Sequence, residues 1–287
     1  MYKRNKHERM KKTVKTTKVN SAKVKPNFTG QHLLHNPKTV KRMLELARLK
    51  KSDTVLEIGA GKGVLTFPLA EQAGKVIAVE VDESFSKLLR SKVADKACSN
   101  ISIKQADIRT FRLPATPFTV VANIPYSITT PILEKLLGAE GRSMHRAVLM
   151  VEKGAAKRFT QAATMDTRLL MWKMFFIFKL ESVIPRTHFA PPPSVDSAIL
   201  SIKRRDSAYI PAQEARRFVA FATYVLSVPQ LSVALALKGI FTAPQLKKVL
   251  LDAGLHREQT VQEIELEQYG TLFNAMLKHV PAFRWPK

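Results

Sequence analysis

Three glycines and two carboxylates, each at the end of a short apolar run, are where the sequence first implies chemistry. Thr54-Val55-Leu56-Glu57-Ile58 is a β-rich run that passes directly into Gly59, Gly61 and Gly63, ahead of a helix-compatible stretch. Glycine permits tight turning and presents no Cβ, so strand, glycine turn and helix bring backbone close to a nucleotide. The spacing is G-x-G-x-G and not the G-x-G-x-x-G of dinucleotide binders, which leaves the ligand open at this point. A second run, Lys75-Val76-Ile77-Ala78-Val79, ends at Glu80, 21 residues beyond Gly59. A carboxylate there can accept hydrogen bonds from the two hydroxyls of a ribose. Past a third run, Asp107 can accept from the exocyclic amine of an adenine while Ile108 packs on the ring. The same residue can also be an ordinary helix cap. Taken together these residues point to an adenosine-containing ligand over the carboxyl ends of a parallel sheet.

A fourth run, Phe118-Thr119-Val120-Val121-Ala122, leads into Asn123-Ile124-Pro125-Tyr126. An aryl amine is a poor nucleophile because its lone pair is delocalised into the ring. An Asn side-chain oxygen and a backbone carbonyl can accept its two N–H bonds and favour a tetrahedral nitrogen. Tyr126 offers a flat face on which an extruded base stacks, worth about 1–3 kcal/mol per base. The alternative is a strand-to-turn Asn followed by a plain Pro-Tyr turn. The four residues resemble the Asn/Asp-Pro-Pro-Tyr/Phe signature of S-adenosylmethionine-dependent enzymes that methylate an exocyclic nitrogen of a base. A sulfonium is already a strong electrophile, so positioning and electrostatics suffice for most of the rate, and no strong general base is needed.

Around these residues, apolar runs at 54–58, 75–79, 101–104, 118–122 and 147–151 read as strands. Helical segments are expected near 38–48, 64–73, 82–95, 130–138 and 154–163. Strands separated by helices mean βαβ units and a mostly parallel sheet covered on both faces. Two further strand-like runs, near 172–180 and 198–202, flank the proline-rich His188-Phe189-Ala190-Pro191-Pro192-Pro193 and are expected to close the edge as an antiparallel pair. After Pro211 only helical segments remain, near 212–226, 230–238, 243–252 and 264–278. The expected fold is α/β, a Rossmann-like methyltransferase sheet with a small all-α C-terminal domain. Its expected divisions are a disordered basic arm at 1–26, a methyltransferase domain at 27–205 and a helical domain at 206–287.

The chain has 287 residues, 45% hydrophobic and 24% charged, as in ordinary soluble proteins, but its net charge is +24. Such an excess points to a polyanionic partner, nucleic acid ahead of an anionic membrane. Residues 1–25 hold ten Lys or Arg against one Glu. That stretch has too little apolar surface to offset ordering entropy, and reads as a phosphate-binding arm or as a solubilising tail. After residue 205 there are nine basic residues against seven acidic ones, so the anion-binding surface belongs to the earlier part. The single cysteine, Cys98, excludes an intramolecular disulfide and fits a reducing, cytoplasmic setting. The most apolar stretch, Leu169 to Leu180, is broken by Lys173 and Lys179, so neither a membrane span nor a secretory signal is expected. A soluble monomer without a metal is the expectation.

The chain resembles the rRNA adenine N6-methyltransferases, and within them the Erm group. The resemblance covers about residues 27–287. It rests on Phe28-Thr29-Gly30-Gln31-His32-Leu33-Leu34, EIGAGKG at 57–63, Glu80, Asp107, NIPY at 123–126, VEKGAAKRF at 151–159 and HFAPPPSVDSA at 188–198. It implies S-adenosyl-L-methionine as cofactor, with His32 and Leu34 at its methionine end, Gly59 in its glycine loop, Glu80 on the ribose and Asp107 on the adenine amine. Asn123 would lie between cofactor and target amine, and Tyr126 would stack on the target. His32 stands where relatives often carry Asn. Phe189 would form a second wall for the flipped adenine, although from the residues alone it is equally an anchor for its loop. The resemblance further implies 23S rRNA as substrate and resistance to macrolide, lincosamide and streptogramin B antibiotics.

Two other readings share these motifs. The sister group that dimethylates adjacent adenines near the 3′ end of small-subunit rRNA has the same signatures. The segment Glu152-Lys153-Gly154-Ala155-Ala156-Lys157-Arg158 and the Lys-rich extension suit the Erm group better. A non-catalytic nucleic-acid binder on the same fold would have lost its cofactor site, yet Gly59, Glu80, Asp107 and Asn123 all stand. Lys157 and Arg158, the basic arm, and Lys203-Arg204-Arg205 are the expected RNA contacts. Affinity for RNA should therefore fall with salt, log K sloping by about −0.7 for each phosphate contacted on single strands. Titrations across a salt series test this, and a slope near zero would refute it.

Overall fold

The computed structural model describes residues 32–161 and 166–287. The basic arm expected at 1–26 lies outside the described residues. The described residues open with a short strand, β1 (Leu33–Leu34), and a helix, α1 (Pro37–Ala47). The Asn36 side chain accepts the Thr39 N–H, and Pro37 sits in the first turn, where its missing N–H costs nothing. Next come β2 (Thr54–Ile58), α2 (Thr66–Gln72), β3 (Lys75–Glu80) and α3 (Glu83–Asp95), the last capped by Asp82 through the Ser84 and Phe85 N–H groups. The chain continues through β4 (Ile101–Gln105), β5 (Phe118–Asn123), α4 (Thr129–Leu137), β6 (Met144–Glu152) and α5 (Lys153–Thr160). After α6 (Thr167–Phe175) come β7 (Phe176–Ile184), β8 (Phe189–Ala190) and β9 (Ser197–Arg204). Four helices finish the chain: α7 (Ala215–Leu226), α8 (Val233–Ala236), α9 (Ala243–Asp252) and α10 (Leu266–His279).

Seven strands form one sheet in the order β4-β3-β2-β5-β6-β9-β7, parallel from β4 to β6 and antiparallel at β9 and β7. The expected parallel sheet with an antiparallel closing pair is therefore present. The chain winds outward from β2 through β3 to β4, then returns to β5 on the other side of β2. The crevice at the carboxyl ends of β2 and β5 is thus the topological switch point, where such sheets bind ligands. Both faces are buried. Along β5, Phe118, Val120 and Ala122 enter the core on one side, while Val121 enters the other with Met43 and Leu44 of α1 and Leu69 of α2.

The helical C-terminal part has a core of its own, with Phe218, Phe221 and Phe273 at ring-centre distances of 5.2–6.3 Å. Leu170 and Met174 of α6 belong to that core, whereas Leu169 and Trp172 of the same helix belong to the sheet's. This corrects the strand expected at 172–180. Residues 172–175 are helical and β7 starts at Phe176, because the helix buries both sides and its apolar run carries no periodicity to separate it from a strand. Asp166, which accepts the Leu169 N–H at 2.7 Å, fixes the helix start. The helix expected at 230–238 is shorter, Val233–Ala236. The antiparallel pairing of β1 with β8, Leu34 opposite Phe189, was not anticipated, since two-residue strands are too short for a pattern.

Two glycines separate backbone strain from crowding. Gly63 has φ +87, and a Cβ there would approach Leu89 and Phe67 to 2.8 Å; Gly254 has φ +63 with nothing within 4 Å. Gly254→Ala should cost only the left-handed backbone term, about 1–2 kcal/mol, and Gly63→Ala measurably more, by urea unfolding. Equal losses would show that the Leu89 and Phe67 side chains move aside freely.

Candidate active site

The cleft at the switch point has a volume of about 220 Å³ and is lined by residues from five separate stretches of chain. Among them are His32, Gly59, Glu80, Asp107, Asn123 and Tyr126, all singled out from sequence. Each follows a strand of the parallel sheet or, for His32, precedes β1, so their convergence follows from the strand order.

The glycine turn begins as β2 ends. Gly59, Gly61 and Gly63 all have positive φ, which explains why each is glycine. The turn is fixed by Glu80, which is buried: its Oε2 accepts the Gly61 N–H at 2.8 Å and its Oε1 the Asp82 N–H at 2.9 Å. A carboxylate has about four lone-pair sites, so Glu80 retains capacity for ligand hydroxyls. Across the cleft, Asp107 accepts the Arg109 backbone N–H at 2.9 Å and is gripped by the Arg109 guanidinium, with Nη2 at 2.6 Å from Oδ2. The hydrogen bonds from the Arg109 side chain and backbone hold the Asp107 carboxyl below the usual carboxylate range. Ile108, buried beside it, lines the same wall.

Asn123 ends β5, where its amide Nδ2 donates to the His32 carbonyl at 2.8 Å. That bond orients the amide and leaves its Oδ1 as the acceptor. The His32 ring lies 6.0 Å from the Tyr126 ring, and its Nδ1 donates to the Pro191 carbonyl at 2.9 Å. The Tyr126 hydroxyl pairs with the Ser197 hydroxyl at 2.5 Å. Burial raises the Tyr126 pKa, the Ser197 hydrogen bond opposes the rise, and the Glu152 charge adds to it. An oriented amide oxygen beside an immobilised aromatic ring can take the two hydrogen-bonding and stacking roles expected for a base amine.

Three other expected groups lie elsewhere. Leu34 is buried and lines a second cavity that adjoins the first at Gly59, Gly61 and Asn123. Phe189 is 2% exposed and packs in the core with Leu34, Val40 and Met43, so it does not line the cleft. Its backbone pairs with Leu34 through β1 and β8. Lys157 and Arg158 are exposed on α5, outside the cleft. Among the described residues no group of three or more His, Cys, Asp or Glu is placed to hold a metal, and no helix is long and apolar enough to cross a membrane.

Glu57, on β2 and lining the second cavity, was noted only for its position. Its Oε2 is buried without a hydrogen-bond partner. Burial pushes its pKa up to about 8, Thr66 opposing and the nearby Glu80 charge adding to the rise. The sign of a carboxylate within an apolar central strand was the available signal. From the ordinary 4.5 up to about 8 the folded chain keeps a proton that the unfolded chain has lost. Stability should therefore fall as pH rises across that window, by up to roughly 1.4 kcal/mol per unit. Thermal unfolding followed over the same window should show Glu57→Gln gaining steadily on wild type as pH rises, whereas parallel curves would mean that Glu57 is ionised in the folded chain.

The sequence model of the family described as ribosomal RNA adenine dimethylase matches residues 22–278. An rRNA adenine N-6-methyltransferase of Bacillus licheniformis is 40% identical over 262 residues, 91% of each chain. A ribosomal RNA small subunit methyltransferase A of a Synechococcus strain is 31% identical over 88% of this chain and 93% of its own. The crystal structure of the 23S rRNA methyltransferase ErmE matches with a TM-score of 0.74 at 28% identity, over 85% of this chain and 99% of that one.

Proposed function

Because this chain belongs to the rRNA adenine N6-methyltransferases of the Erm type, we propose that its substrate is an unpaired adenine of 23S rRNA and that its product confers resistance to macrolide, lincosamide and streptogramin B antibiotics. The family's reaction is S-adenosylmethionine-dependent methylation of the adenine N6. The 23S assignment is supported by the likeness to the 23S rRNA methyltransferase ErmE and by the greater identity to the Bacillus enzyme than to the small-subunit methyltransferase.

The residues present fit the cofactor. Positive-φ glycines leave open the space beside Glu80, and Asp107 offers an acceptor for an adenine amine. The buried, unpartnered Glu57 suits an α-ammonium group, whose charge would favour its ionised form. The cofactor supplies an activated methyl on a sulfonium. Everything else falls to the chain. Asn123 Oδ1 accepts one N–H of the target amine, and the Ile124 carbonyl is assigned the other, since the Pro125 carbonyl already accepts the Ile128 N–H at 3.2 Å. Together they draw the nitrogen lone pair out of conjugation. Tyr126, held by Ser197, stacks on the extruded base. Lys157 and Arg158 meet phosphates outside the cleft, and the basic arm extends that contact. The helical residues 206–287 are assigned to a second domain, and Phe189 to holding the proline-rich loop that Pro191 ties to His32.

The observation that carries this reading is the Asn123 amide, whose Nδ2 is committed to the His32 carbonyl so that Oδ1 is left as the acceptor in the cleft that Tyr126 also lines. Methyl transfer from labelled S-adenosylmethionine to protein-free 23S and 16S rRNA, run in parallel, tests it. Label should enter 23S rRNA and fall by about 100-fold or more in Asn123→Ala, the scale of losing one preorganised transition-state hydrogen bond. Label confined to 16S rRNA would transfer the function to the small-subunit reading.

A further inference from the structure

Asp107 is expected to take the adenine amine of the cofactor, yet in the folded chain both oxygens of its carboxylate already accept from Arg109. Oδ1 accepts the Arg109 backbone N–H at 2.9 Å and also faces Arg109 Nε at 3.1 Å. Oδ2 accepts Nε at 2.9 Å and Nη2 at 2.6 Å. Three donors, with Nε shared between the two oxygens, fill most of a group with about four lone-pair sites, and the guanidinium lies across both oxygens where an incoming amine would have to bond. One of those donors is backbone and cannot leave. The Phe111 N–H donates to the Asp107 carbonyl at 2.9 Å, and Lys135 Nζ donates to the Arg109 carbonyl at 3.2 Å, so the turn itself is pinned. The guanidinium is the part free to move: the Arg109 side chain is 61% exposed and touches the cleft wall.

We propose that Arg109 is a displaceable latch on the adenine subsite, its guanidinium occupying Asp107 until the cofactor's amine takes the carboxylate and the side chain swings to solvent. This rests on the reading of Asp107 as the adenine acceptor. Cofactor affinity is then set below what the pocket alone would give, because each binding event breaks an ion pair. An exposed pair of this kind is worth up to about fivefold in an equilibrium. Salt screens the pair but scarcely affects a hydrogen bond from a neutral amine, so salt assists binding in the latched protein.

The test uses the full chain and S-adenosylhomocysteine, with affinity measured by calorimetry at low and high salt. Arg109→Ala should bind about two- to fivefold more tightly than wild type, and its affinity should lose the rise with salt that wild type shows. Asp107→Ala should weaken binding, and adding Arg109→Ala to it should change nothing further. Weaker or unchanged binding in Arg109→Ala, with Asp107→Ala still impaired, would overturn the latch and leave the subsite standing. Unchanged binding in Asp107→Ala would remove the subsite assignment and the latch together. The S-inosylhomocysteine analogue, which lacks the amine, should bind wild type and Asp107→Ala alike; tighter binding to wild type would also count against the latch.

Discussion

The arrangement at the carboxyl edge of the sheet depends on a buried carboxylate whose partners are backbone. Glu80 ties the β2–α2 turn to the β3–α3 turn through the Gly61 and Asp82 N–H groups. Burial makes these bonds strong and makes their loss costly, since an unpaired carboxylate in that position would carry its full desolvation penalty. The three left-handed glycines are the complement of this arrangement: only glycine follows the path without strain. Two loops that must converge on one small molecule are thereby set relative to each other before it arrives, so binding need not supply the ordering entropy.

A second chain of contacts does for the Asn123 and Tyr126 side of the cleft what Glu80 does for the glycine turn. It runs from Asn123 to the His32 carbonyl, from the His32 ring to the Pro191 carbonyl, and from Tyr126 to Ser197. The first link joins the end of β5 to the segment before β1, the second joins that segment to the one after β8, and the third joins the turn after β5 to the start of β9. The cleft is consequently lined by chain from near the start of the described residues as well as by the ends of the parallel strands. His32, where relatives often carry Asn, contributes its backbone carbonyl to this chain, and a carbonyl is the same on either residue.

Much of this was legible in the sequence because strand ends in a parallel sheet share one edge. Glu80, Asp107 and Asn123 could be placed together from periodicity alone, and the glycine spacing marked the turn. Where the sequence failed, the determining contact was not local. Phe189 faces the core because it pairs through β8 with Leu34, far away in the chain, and two-residue strands leave no pattern. The Arg109 grip on Asp107 depends on the shape of a turn, which residue types do not encode. The first half of the run at 172–180 is helical because it touches two cores at once, and an apolar stretch buried all round looks the same as helix or strand. Glu57 was visible as an oddity, a carboxylate in an apolar strand, but its protonated state follows only from its full burial.

The sharing of α6 between the two cores limits how such a protein can be rebuilt from parts. Leu170 and Met174 lie upstream of the point where the residue pattern changes, yet they complete the helical core. Arg205 reinforces the link, its N–H and guanidinium bonding the Phe175 and Lys173 carbonyls. A chimaera that exchanged only the terminal helices with a relative would cross this seam and mismatch the packing there. An exchange module for this architecture has to carry α6 with it, so the helical part is inherited together with a piece of the sheet's own roof.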